Sequence, residues 1–147
     1  MQQEFLTLYN ASLNNASDLL LEAQLLFDNY KYPRAYALAF TALEEISKSQ
    51  LAADVFTGLI MVEEFDECFR NHRVKIERMA WATDDARRYL AMPEEECMEA
   101  QEPTFGNRMD SMYVGVKNGK VFSPTDVIGE EDARSIIHTT EVAIQDY

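Results

Sequence analysis

The chain has 147 residues, 47% of them hydrophobic and 11% aromatic, which is enough apolar material for one domain with a real core and too much for a disordered chain. Its net charge of −13 repels nucleic acid and anionic membranes at long range, so any phosphate-binding role has to be local, and no DNA partner is expected. Few glycines and prolines argue against a turn-rich β fold, and Cys68 and Cys97 show neither a metal-ligand spacing nor a disulfide framework, the pattern of reduced thiols in a reducing compartment.

The first residues, Met1-Gln2-Gln3-Glu4, lack the basic segment of a signal peptide. The longest mostly apolar run, residues 35–43, is too short to span a bilayer. The expectation is a cytoplasmic protein of one domain, residues 1–147, with no membrane partner.

Residues 3–30 predict one long helix, bent near Asn14-Asn15. Leu6, Tyr9, Leu13, Ala16, Leu20, Ala23, Phe27 and Tyr30 recur at spacings of three and four and mark a buried stripe. Lys31-Tyr32-Pro33 stops that helix and starts another, since proline fits a first helical turn where its missing N–H has no partner to lose. The second helix covers 33–54. Its first half is apolar almost all round, the mark of a central helix. Ala35, Leu38, Ala39, Ala42, Leu43 and Ile46 share one broad face, and Ala37, Thr41, Glu44, Glu45, Lys48 and Ala52 share the other.

Residues 55–63 predict a bend or loose helical stretch around Gly58. A third helix follows over 63–91, with Phe65, Phe69, His72, Ile76, Met79, Ala82 and Ala86 on its core side, and Pro93 ends it. Residues 93–111 show no periodicity and predict a loop. Asn118-Gly119 between β-prone arms then predicts a short hairpin over about 112–122, because a type I′ turn needs positive φ twice. Ser123-Pro124-Thr125-Asp126 opens a turn, and a last helix spans 130–145 with Glu130, Glu131 and Asp132 at the positive end of its dipole.

Two helical faces carry the chemistry. On the second helix, small residues mix with Glu44, Glu45 and Lys48. This is either a solvated face with Glu44–Lys48 as an i,i+4 pair, or a face met by another helix or subunit, where a carboxylate beside Lys48 orients a base or ligand. On the third, Arg70, Arg73, Lys75 and Arg78 lie within nine positions around His72, the one local basic patch in an acidic chain and the place for RNA or another phosphate ligand. The bland alternative is a hydrogen-bonded core histidine with arginines paired to neighbouring acids. The Glu-x-x-His pairs of di-iron bundles are absent, so no metal site and no cofactor are expected. His138, beside Ile136 and Ile137, predicts a helix-packing residue.

Taken in order, these pieces resemble a known family. Leu43-Glu44-Glu45-Ile46-Ser47-Lys48 is similar to the Leu-Glu-Glu-Ile-x-Lys helix of the AbiV family of bacterial abortive-infection proteins. Phe69-Arg70-Asn71-His72-Arg73-Val74-Lys75 is similar to that family's His-x-x-Lys segment. Asp110-Ser111-Met112-Tyr113-Val114, then Asn118-Gly119 and Ser123-Pro124, resembles its Tyr-Val hairpin and Ser-Pro turn. The resemblance spans about residues 33–145.

It implies an all-α, HEPN-like helical bundle with the small hairpin before the last helix, a homodimer, and a role in phage defence acting on RNA or the translation machinery. For a metal-independent endoribonuclease, the implied catalytic group is His72 as base, Lys75 and Arg70 as electrostatic stabilisers and Glu45 as orienter. Glu44, Lys48, Arg73, Arg78 and Tyr113 are the implied ligand-binding residues. Catalytic HEPN members carry Arg-x4–6-His. Here no histidine stands five to seven places after Arg70, and Arg134 and His138 are only four apart. A non-catalytic dimeric module binding a phage or host protein, or a small-phosphate binder, therefore stays open beside the ribonuclease.

Overall fold

The computed structural model describes residues 2–70 and 108–145. Helix α1 spans Gln2–Asp28 and α2 spans Tyr32–Phe56. They form an antiparallel hairpin, since Phe5 near the start of α1 packs with Leu51, Ala52 and Val55 near the end of α2. The turn between them is a Schellman closure. The Lys31 N–H donates to the Leu26 carbonyl at 2.8 Å and the Tyr30 N–H to that of Phe27 at 3.0 Å. Tyr30 stands at the left-handed position with φ 63°. That geometry turns its ring outward, so Tyr30 is exposed and does not belong to the buried stripe expected of it.

Pro33 sits in the first turn of α2, as its sequence position predicts. Alanines 35, 39 and 42 are fully buried, and so is Ile46, while Tyr36, Phe40 and Leu43 fill the remaining sides. A helix covered on several sides needs small residues where neighbours approach closely and large ones between them. The same Schellman closure ends α2, now with Gly58 at φ 83°. Helix α3, Val62–Arg70, then returns to pack Phe65 edge-on against Phe5, ring centroids 5.0 Å apart. The continuation of that helix to 91, with His72, Arg73, Lys75 and Arg78, lies outside the described residues, as do Pro93 and the expected loop up to 107.

Residues 108–112 are helical, whereas a loop was expected through 111. The Ser111 hydroxyl donates to the Arg108 carbonyl at 2.6 Å and the Tyr113 N–H to the Met109 carbonyl at 3.1 Å. The five described helical residues are too few to show periodicity. The hairpin follows as strands β1, Gly115–Lys117, and β2, Lys120–Phe122, paired antiparallel with Val116 opposite Val121. Asn118 and Gly119 both take positive φ, 53° and 74°, the turn their dipeptide predicts. The strands are shorter than the expected arms, and residues 112–114 lie before the ladder.

Helix α4, Pro124–Val127, is held at its start by the Asp126 carboxylate, which accepts from the Ser123 N–H at 2.7 Å. Asp132 closes the start of α5, Glu130–Gln145, in the same way, accepting from Gly129 N–H at 2.9 Å. Helix α5 buries Ala133, Ile136, Ile137, Thr140 and Ala143. The Thr140 hydroxyl lies 2.7 Å from the Ile136 carbonyl and 3.3 Å from that of Ala39, tying α5 to α2. His138 is exposed and 4.0 Å from Glu141, not the packing residue expected, because it falls one position off the Ile136–Ile137 face.

The core therefore has two parts. One joins α1, the first half of α2 and α5. The other joins the start of α1, the end of α2 and α3. Among the described residues no helix is long and apolar enough to cross a membrane.

Candidate functional site

Between those two core regions α2 changes character. Glu44, Glu45 and Lys48 fall on consecutive turns after the apolar first half, and a helix places Phe40, Glu44 and Lys48 along one ridge. None of the three ionic groups is solvated as an ordinary surface charge would be. Lys48 is 21% exposed and Glu45 14%.

Lys48 Nζ donates to Glu45 Oε1 at 2.5 Å, an i,i+3 pair, in place of the expected i,i+4 pair with Glu44. The second oxygen of Glu45 accepts from Asn15 Nδ2 on α1 at 3.1 Å. Both carboxylate oxygens are thus engaged from different helices, which fixes the side chain. Lys48 Nζ also lies 5.3 Å from the centre of the Phe69 ring on α3, a cation–π contact. This brings Phe69, near the end of α3, beside the charged face of α2. Arg70, the last residue of α3, is exposed.

Glu44 has a different partner, one the sequence does not signal. Arg108, in the helical residues 108–112 before the hairpin, places Nε 3.1 Å from Glu44 Oε1. The distance is that of an ion pair, yet neither atom makes an aligned hydrogen bond, and both are buried. The two facts describe one geometry: charges close enough to attract, with the N–H aimed off the carboxylate. The attraction is real and the directional part of the bond is missing. The Arg108 guanidinium also lies 5.7 Å from the centre of the Phe40 ring.

The result is a repeated unit along α2. Each of Arg108 and Lys48 is a cation held between a carboxylate and a phenyl ring: Glu44 and Phe40 for one, Glu45 and Phe69 for the other. Four charges sum to zero, which lets a semi-buried group of ionic side chains exist at tolerable desolvation cost.

The structure brings together Glu44, Glu45 and Lys48 of the expected site residues and adds Asn15 and Arg108. Tyr113 is exposed, two residues ahead of β1. His72, Lys75, Arg73 and Arg78 lie outside the described residues. Asn15 carried no signal of this contact, being one of many polar residues on α1. Arg108 carried none, because its meeting with Glu44 depends on tertiary folding.

The described residues form an all-α bundle: a long antiparallel helix pair, a third helix, a small hairpin and a closing helix, with an ionic cluster on the central element. The HEPN_AbiV family model, described as AbiV, matches residues 4–145, nearly the whole chain. The chain belongs to the AbiV family, and the family places it among abortive-infection proteins, which defend bacteria against phage. No curated protein and no solved structure gives a significant match.

Proposed function

We propose that this protein arrests growth of phage-infected cells by acting on RNA, at a site centred on the charged face of α2 and completed by the basic segment that follows α3. The observation that carries the reading is the restrained ionic cluster. Glu45 is fixed from two helices and holds Lys48 over Phe69, at the point where α3 leads on toward His72 and Lys75. A carboxylate held this firmly suits an orienting role better than a purely solvated one.

The chemistry that fits is transesterification. His72 takes the proton of a ribose 2′-OH, and the 2′-oxygen attacks phosphorus. The 5′-oxygen of the next nucleotide leaves and takes up a proton, giving a 2′,3′-cyclic phosphate and a free 5′-OH. Lys75 and Arg70 offset the charge that builds on the phosphorane, and Glu45 orients His72 or Lys75. Arg73 and Arg78 hold flanking phosphates, and a homodimer sets two such patches toward one cleft.

Purified protein incubated with cellular RNA tests this: cleavage by the wild type is expected to vanish in His72→Ala. Unchanged cleavage in that variant would remove His72 from the mechanism.

A second reading has an observation of its own. Tyr113, Val114, Val116 and Val121 are all exposed on and before the hairpin, with Val116 opposite Val121 in the ladder, exposed apolar side chains of the kind that dock a protein. Under it the chain binds a phage or host protein without cleaving anything. Loss of protection on Val116→Lys, with RNA cleavage intact, favours that reading.

A further inference from the structure

The Glu44–Arg108 pair is not needed to explain Lys48 or Glu45, and its geometry is unusual for a structural ion pair. A pair kept only for stability gains most from aligned, bidentate hydrogen bonds. Here Nε and Oε1 face each other at 3.1 Å without alignment, and both are cut off from water. The remainder of each side chain stays partly open, 24% of Arg108 and 17% of Glu44. Among the described residues no hydrogen bond engages the terminal nitrogens of Arg108 or the second oxygen of Glu44.

The pair therefore presents a fork of N–H donors beside a carboxylate acceptor, anchored on the Phe40 ring and set one turn along the α2 ridge from Lys48. A plain anion satisfies only half of that arrangement, because a phosphate beside Glu44 meets a like charge. A ribonucleotide satisfies both halves. Its phosphate oxygens accept from a guanidinium, and its ribose 2′-OH donates to a carboxylate.

We propose that Arg108 and Glu44 together bind one ribonucleotide unit of an RNA strand, Arg108 holding the phosphate and Glu44 accepting the 2′-OH. The unit bound lies next to the cleaved bond, so that Glu44 selects ribose over deoxyribose and does not act on the reacting hydroxyl. This inference rests on the reading of the protein as an RNA-directed one and adds its discriminating residues.

The test is fluorescence anisotropy with a labelled single-stranded RNA and the DNA of the same sequence, for the wild type, Glu44→Ala, Arg108→Lys and Arg108→Ala. Circular dichroism checks that each variant folds, and Arg108→Lys keeps the buried cation if Arg108→Ala does not fold. The wild type is expected to prefer RNA by roughly tenfold, the value of one hydrogen bond to a charged group. Glu44→Ala is expected to bind the two strands alike, and Arg108→Lys to weaken both. Equal binding of RNA and DNA by the wild type overturns the proposal, as does unaltered binding by the folded variants while the wild type still binds RNA. No RNA binding by the wild type overturns this inference together with the reading it rests on.

Discussion

At the scale of single residues, the two helix ends of the α1–α2 hairpin make a matched comparison. Each closes by the same hydrogen-bond pattern, and each needs one residue at positive φ: Tyr30 at 63°, Gly58 at 83°. A side chain with a Cβ is strained there by about 1 kcal/mol, and glycine is not. Tyr30 is exposed, so its ring contributes little burial. Tyr30→Gly is therefore expected to raise stability by about 0.5–1 kcal/mol and the melting temperature by about 2 °C, whereas Gly58→Ala lowers stability by about 1 kcal/mol. Thermal unfolding of the two variants checks both signs. The pair also shows what was legible. Gly58 announces a bend because its residue type matches the backbone. Tyr30 hides one, because its apolar ring continues the three-and-four spacing while its backbone has already left the helix. His138 misled for a related reason: its neighbours Ile136 and Ile137 are core, and one step along a helix turns a side chain by about 100°.

At the scale of elements, α2 was legible as the central helix because no face of its first half is polar. Fully buried alanines at 35, 39 and 42 show how its neighbours come so near. Thr140 on α5 reaches within 3.3 Å of the Ala39 carbonyl, so nothing larger than a methyl group fits between the two helices at that point. Ala39→Leu is expected to destabilise by about 1–3 kcal/mol, or more if α5 is displaced, and a denaturant titration measures it. A change below about 0.5 kcal/mol would mean that α5 packs more loosely than described. The hairpin was equally legible from Asn118-Gly119, since a two-residue turn is a local choice. The helical turn at 108–112 was not. Its Ser111 is buried and its Arg108 approaches Glu44, and neither the burial nor that approach has a trace in local sequence.

At the scale of the whole molecule, the chain is strongly acidic, with a net charge of −13. A charge of that sign disfavours a broad basic surface, and along α2 the structure pairs Lys48 with Glu45 and Arg108 with Glu44. The sequence singled out Glu44, Glu45 and Lys48, which the fold gathers into one ionic cluster, because charges interrupt an otherwise apolar helix. It missed Asn15 and Arg108 because a site assembled from three distant segments exists only in the folded chain. The central claim is that this cluster is where the abortive-infection protein acts, not merely what holds its helices together. Phage plating on cells expressing the wild type or Lys48→Gln tests it most directly. Lys48→Gln keeps a donor within reach of Glu45 and removes the cation over Phe69, so the fold is expected to survive, as judged by melting temperature. With comparable expression and melting temperature, loss of most of the protection is predicted; protection equal to that of the wild type would contradict the account.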